Sequence, residues 1–331
     1  MDALTTPSNW QRVRLGDVAE IIGGGTPSTQ ITSFWNGSIN WFTPTEIGIT
    51  KYVHKSQRTI TPLGLKKSSA KLLPIGTILL TSRASIGDCA ILKEIATTNQ
   101  GFQSLIPLEK INNEFLYYLI LTLKNKLLKL ASGSTFLEVS PNKIKNLLIP
   151  LPPLNEQIAI ANILSDVDRY LYSLRALILK KERVKKALSF ELLSQRKRLK
   201  GFNQAWQKVR LGDICEITTG SLDANEMVHY GKYRFYTCAK EYYFIDKYAF
   251  DTEAILISGN GAYVGYVHYY KGKFNAYQRT YVLDNFSEHI MFVKYFLTMF
   301  LQSHIQTNRN EGNTPYIVMA TLKDFEILLP P

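Results

Sequence analysis

Apolar residues recur along this chain in two periods, and each marks a different kind of element. From Leu154 to Lys200 there is no Pro or Gly, and the stretch opens directly after Pro152-Pro153. Within it Leu164, Val167, Leu171, Leu174, Ile178, Lys181, Lys185, Leu188 and Leu192 take the a and d places of a heptad, and seven of the nine are apolar. That spacing predicts one long helix with a coiled-coil seam. On either side the period changes. Ile78–Thr81 followed by SRASIGDCAIL, and Ile255–Ser258 followed by GNGAYVGYVHY, each read as two β-strands joined by a turn of small residues. Further along, Glu114–Ala131 and His289–Gln306 return to helical spacing, and each is followed by a Gly-x-Thr turn, Gly133-Ser134-Thr135 or Gly312-Asn313-Thr314.

These parallels are a repeat. Trp10–Gly24 (WQRVRLGDVAEIIGG) and Trp206–Gly220 (WQKVRLGDICEITTG) are identical at ten of fifteen positions. Each opens a block that closes on a proline pair, in Leu147–Pro153 and in Phe325–Pro331. The expected fold class is α+β: two similar mixed α/β modules, residues 1–153 and 201–331, joined by a coiled-coil-forming helix at 154–200. With 331 residues, each module can bury a core of its own.

Charge changes this picture. The net charge of +12 divides into +7 for residues 1–153, +6 for 154–200 and −1 for 201–331. A basic first module and helix favour an anionic partner, nucleic acid before membrane. The start of the chain has no secretory pattern, and Lys124 and Lys294 interrupt the longest apolar regions short of a bilayer span, so a cytoplasmic location is expected. Cys89, Cys215 and Cys238 show no paired spacing and the five histidines are scattered, which argues against a disulfide framework or a metal site. At about 1.5 Å per residue the helix would rise roughly 69 Å, on the order of 20 base pairs, a ceiling on how far it holds two modules apart along a duplex.

Four segments in order carry a family resemblance: WQxVxLGD, GGGTPST (Gly23–Thr29), FWNGSINWFTPTEI (Phe34–Ile47) and LPPLNEQIAIANILSDVD (Leu151–Asp168). Together they resemble the specificity subunit of a type I restriction-modification enzyme. The resemblance implies two target recognition domains, each reading one half of an interrupted DNA sequence, and a spacer helix that docks methyltransferase (modification) subunits. It implies a restriction/translocase subunit as an indirect partner, and no cofactor in this chain, with S-adenosylmethionine, ATP and magnesium on partner subunits. The family has a second spacer helix after the second domain. Here the sequence stops at Pro331, where that helix would begin, so a truncated or rearranged form is expected, with the lone seam pairing in trans.

Base edges and phosphates call for different side chains. For base reading, the first module offers Arg83 on its turn, with Asn99, Gln100 and Gln103 behind it. The second offers Asn260 and Tyr263, with Gln278 and Arg279 downstream. For phosphates the candidates are Arg58, Lys66, Lys67 and Lys71, and then Lys232, Arg234, Lys240, Lys271 and Lys273. Most of the aromatics at Tyr230–Phe244 are expected to be core or pleat-facing residues, with stacking on bases the minority reading. Neither an (Asn/Asp/Ser)-Pro-Pro-(Tyr/Phe) loop nor a nucleotide-binding glycine pattern occurs, so a non-catalytic reader is expected. A silent donor of modules and a coiled-coil scaffold without DNA reading are the alternatives.

Overall fold

The computed structural model describes residues 7–133, 137–308 and 315–331. The chain divides into two compact units, Met1–Arg175 and Ala176–Pro331. The division falls inside the long helix, which joins the two modules as expected.

Unit 1 begins with β1 (Gln11–Arg14), β2 (Ala19–Gly23), β3 (Trp35–Phe42), β4 (Tyr52–Val53) and β5 (Arg58–Ile60). A short α1 (Pro62–Lys66) leads to β6 (Ile78–Leu80), β7 (Cys89–Leu92), β8 (Ala96–Thr98) and β9 (Gln103–Pro107). Then follow α2 (Asn113–Thr122), α3 (Lys124–Leu130), α4 (Pro141–Lys145), β10 (Leu148–Leu151) and α5 (Leu154–Leu193). The helix expected over Glu114–Ala131 is thus two, interrupted at Leu123. The central sheet runs β2-β9-β6-β7-β4, and β5-β3-β8 form a second sheet. Strand alternation sends Ile78, Leu80, Ile91 and Leu105 toward α2 and α4, where Leu116, Ile120 and Ile144 complete the main core. The opposite face, with Leu79, Ala90, Leu92 and Phe102, packs with Phe42 and Ala96 of the second sheet.

Unit 2 repeats the plan with β11 (Gln207–Arg210), α6 (Leu211–Ile214), β12 (Glu216–Thr219), β13 (Tyr233–Tyr236), β14 (Tyr243–Ile245), β15 (Phe250–Ser258), β16 (Val267–Ala276) and β17 (Thr280–Asp284). It ends in α7 (Ile290–Asn308), α8 (Met319–Lys323) and β18 (Glu326–Leu329). The six-stranded order β12-β17-β15-β16-β13-β14 matches β2-β9-β6-β7 over its first four strands. Ile255, Ile257 and Leu283 face Leu297 and Leu301 of α7. Apart from Gly133, the Gly-x-Thr turns lie outside the described residues.

The repeated sequence now has a structural meaning. The opening strand of each unit pairs antiparallel with its closing strand: β1 with β10, Arg12 opposite Pro150, and β11 with β18, Lys208 opposite Leu328. The Leu-Gly-Asp that follows needs its glycine because the neighbouring helix sits close. A Cβ on Gly16 would stand 3.2 Å from Lys145, and one on Gly212 3.1 Å from Lys323.

The long helix ends seven residues sooner than its composition suggests, at Leu193 rather than Lys200. Gln195 adopts a left-handed φ of +60°. The Gln195 N–H then donates to Leu192 O (3.2 Å) and the Lys197 N–H to Glu191 O (3.0 Å), closing the last turn. Forty residues lower the ceiling on its rise to about 60 Å.

Candidate nucleic-acid interface

In each unit one turn stands out by its backbone. The β6–β7 connection, Ser82–Asp88, holds Ala84 at φ +56° and Gly87 at φ +89°. The β15–β16 connection, Gly259–Tyr266, holds Gly261 and Gly265 both at φ +79°; counted between the matching bonds Thr81 N–H to Asp88 O and Ser258 N–H to Tyr266 O, it is one residue longer. Both are anchored alike. Ser82 N–H donates to Gly101 O and Gly259 N–H to Arg279 O, each at 2.8 Å. Arg83 forms an isolated bridge with Glu138, and Asn260 one with Tyr316. Two copies therefore present similarly anchored turns, with Arg and Glu at the bridged positions in one and Asn and Tyr in the other.

In unit 1 the anchoring brings Arg83 beside the Asn99–Gln103 segment. Arg83 is ion-paired to Glu138 at 2.8 Å with its side chain 42% exposed. Asn99 turns its Oδ1 inward to accept from Gly101 N–H (2.8 Å), and exposed Gln100 accepts from the Thr26 hydroxyl. Gln103 departs from expectation: it is 6% exposed, inside β9, because the alternation that puts Phe102 on one face puts Gln103 under the other. It is a floor residue, away from the reading surface. Lys66, Lys67 and Lys71 are exposed around α1. Arg58 lies 3.7 Å over the Trp35 ring, a stacking site for its guanidinium.

In unit 2 Gln278 and Arg279 are exposed beside the turn, and the Gln278 N–H donates to Leu222 O (2.9 Å). Tyr263, the added residue, is 44% exposed with Lys240 5.2 Å above its ring. A cavity of about 290 Å³ beside the turn is lined by Tyr263, Val264, Tyr266, Gln302 and Ile305. Arg234 lies between the Tyr242 and Tyr270 rings (4.2 and 4.4 Å) and donates to Tyr236 Oη at 3.4 Å. Burial pushes the Tyr236 hydroxyl's pKa up, and burial holds the His268 imidazole below its ordinary value. Its Nε2 is 2.9 Å from Ala239 O. Lys232 is exposed, whereas Lys271 pairs with Glu253 (3.0 Å) and Lys273 with Asp251 (3.9 Å). The aromatic run divides between core and surface. Phe235 and Tyr236 are buried, Tyr233 is half-buried, and Tyr230, Tyr242, Tyr243 and Phe244 are exposed, the last two on the edge strand β14.

The helix is gripped through residues partly legible beforehand. Glu156 accepts from Trp10 Nε1 (3.0 Å), which explains why that Trp opens the module. Buried Gln157 accepts from Asn112 N–H (2.9 Å) and donates to Lys110 O (3.1 Å) and Pro152 O (2.8 Å). The pattern did not reveal Lys51. Its Nζ donates to Ser165 Oγ (2.7 Å) and Tyr118 Oη (3.1 Å) and is ion-paired with Glu114, while the Tyr118 hydroxyl donates to Asp168 (2.6 Å). Burial lowers the Lys51 pKa, but the bonds to Glu114 and Tyr118 outweigh it and the net direction is up. In unit 2 the helix contributes buried Leu193 and half-buried Phe190, whose ring centre is 6.0 Å from that of Phe300. The seam lies on another face: Leu164, Val167, Leu171, Ile178 and Leu188 are exposed, and Leu174 and Leu192 half-buried.

Among the described residues no group of His, Cys, Asp and Glu is placed to hold a metal ion, and no helix is long and apolar enough to cross a membrane. The type I restriction modification DNA specificity domain matches residues 7–182 and again 203–331. The chain belongs to that family. Among specificity-domain proteins, the MjaIX specificity subunit of Methanocaldococcus jannaschii is 29% identical over a 367-residue alignment, covering 98% of this chain and 84% of the relative. The EcoDI specificity subunit of Escherichia coli is 41% identical over 128 residues, 38% of this chain and 28% of the relative. The crystal structure of a type I restriction-modification S subunit from M. genitalium has a TM-score of 0.60 at 18% identity, covering 99% of this chain and 87% of that one. A structure solved for the assembly and conformational transition of a type I system has a TM-score of 0.62 at 20% identity, covering 99% and 88%. At those identities the likeness is one of fold, and it extends to two specificity domains and the long helix.

Proposed function

We propose that the chain reads double-stranded DNA as a two-part target, one part per unit, on behalf of catalytic subunits that it does not itself replace. The observation that carries this is the repeated turn. Its anchoring bonds match in both units and each turn carries two left-handed residues, while its side chains differ, Arg83 and Glu138 against Asn260 and Tyr316. A fixed frame with variable contact residues is what two half-sites of different sequence require. The exposed seam of α5 is the docking surface for methyltransferase subunits, or for a second copy of the chain. Through the methyltransferase come S-adenosylmethionine and, with the restriction/translocase subunit, ATP and magnesium. The setting is the cytoplasm.

The test is methylome sequencing of cells that express the chain with a type I modification subunit. A two-part methylated motif is expected, and Arg83→Ala should change one half of it and leave the other. An uninterrupted motif, or no motif at all, would sink the proposal.

A further inference from the structure

Besides the turns, unit 1 carries an open groove of about 460 Å³ between β1, β10, α3 and α4. Arg12, Lys126 and Lys143 stand around it over Leu130, Asn146 and Leu148, and no acidic residue lines it. Unit 2 has the same place in its fold, and the strand registers allow a residue-by-residue comparison. Arg12 corresponds to Lys208, Arg14 to Arg210, Leu148 to Glu326 and Asn146 to Asp324. There the cations are answered from within: Lys208 pairs with Glu326 at 2.6 Å and Arg210 with Asp324 at 3.8 Å. Counting back from the paired strands, Thr321 stands where unit 1 has Lys143, and its carbonyl lies 3.0 Å from His304 Nε2. One copy is internally balanced. The other holds three cations at positions where the carboxylates have been exchanged for Leu and Asn.

The groove also adjoins the reading turn. Lys143 Nζ donates to Ser132 Oγ (2.9 Å), Ser132 pairs with Glu138, and Glu138 pairs with Arg83. Two strand-like steps of about 4.8 Å separate the basic edge from the turn. That is the scale on which phosphates flank base edges in a duplex groove about 12 Å wide. We infer that this groove of unit 1 is a phosphate clamp for the DNA backbone beside the half-site, with Arg12, Lys126 and Lys143 holding the phosphates, and that unit 2 has no counterpart. The inference rests on the DNA-reading proposal and assigns where sequence-independent grip resides. Arg12 is free to swing over the groove from an exposed strand. The two lysines are braced by oxygens, Lys126 by Leu148 O (3.5 Å) and Lys143 by Leu130 O and Ser132 Oγ (2.9 Å each), which leaves two N–H donors on the first ammonium and one on the second for a phosphate.

The experiment grafts unit 2's acids into unit 1. Full-length chain and its Asn146→Asp/Leu148→Glu variant are titrated with a labelled duplex of random sequence, between about 50 and about 200 mM salt. The variant should bind on the order of tenfold more weakly at the low-salt end, with a log–log salt slope shallower by about 2, one for each phosphate that the groove no longer neutralises. An Ile49→Glu/Ile75→Glu variant adds the same charge at two exposed positions outside the groove and should keep the wild-type slope. The reverse graft, Asp324→Asn/Glu326→Leu, should steepen it. Equal slopes for the graft and the wild type, with the two-part motif still methylated, would overturn the clamp and leave the reading proposal standing. Loss of modification-subunit binding with an unchanged slope would also overturn it, assigning the groove to an acidic protein segment. No binding by the wild type would overturn both. An unchanged melting temperature of the graft ties a shallower slope to the groove rather than to misfolding.

Discussion

The two units solve the same packing problem with different materials. Each buries one sheet face against its helices in nearly the same way. On the other face unit 1 lays a second sheet over Leu79, Leu92 and Phe102, so that face becomes aliphatic interior. Unit 2 covers the corresponding Leu256 and Val282 with Tyr236, Tyr270 and Phe274, and lays Arg234 across the rings. The first leaves its surface to charge, and the second to aromatic faces. The contrast teaches that the helix-side core defines the module, while its outer face is open to reinvention. The division of charge, +7 against −1, follows the same line.

Three tests sharpen the contrast, from the largest expected effect down. Gln157→Leu removes a buried amide that serves three backbone groups, which are left without their partners. It should cost unit 1 on the order of 3 kcal/mol, seen by calorimetry as an early transition for that unit alone. A single unshifted transition would mean that the helix is not held there. Arg234→Ala removes a guanidinium from two rings and should cost unit 2 about 1–2 kcal/mol in urea unfolding. Arg58→Ala, which removes one main stacking partner in unit 1, should cost less than half as much; equal costs would erase the distinction between the outer faces. The smallest test is reciprocal. Ala84→Gly relieves a left-handed backbone and should stabilise unit 1 by about 0.5–1 kcal/mol, while Gly261→Ala should cost unit 2 a similar amount. Nothing lies within 4 Å of a Cβ at Gly261, so backbone strain alone sets that cost. Opposite shifts in urea midpoint are expected, and shifts of one sign would show the turns to be unlike.

How far the sequence reveals this depends on how local each feature is. The duplicated WQxVRLGD, the proline pairs and the turn at 82–88 with its partner at 259–266 are contiguous patterns, and their residues fold together. Glu156 and Gln157 were visible as a motif, and their bonds to Trp10 and to the α2 entry explain it. Gln103 was misplaced because alternation in a strand sets a side chain's face, which an Asn/Gln-rich stretch does not announce. The groove of unit 1 was invisible for a different reason. Arg12, Lys126 and Lys143 are far apart in sequence and each looks like an ordinary surface charge; only the pairing of β1 with β10 brings them to one place. Lys51 was missed likewise, since its partners come from α2 and α5.

The pairing of β1 with β10, and of β11 with β18, has a consequence for how such a gene can change. Each repeated block, Trp10–Pro153 and Trp206–Pro331, opens and closes on paired strands, so its two ends in the coding sequence are also neighbours in space. A recombination event that exchanges Trp10–Pro153 or Trp206–Pro331 as one block carries away both halves of the clasp together. The incoming block brings its own matched pair. New specificities can then be shuffled in whole, without a period of mutation during which opening and closing strands no longer fit.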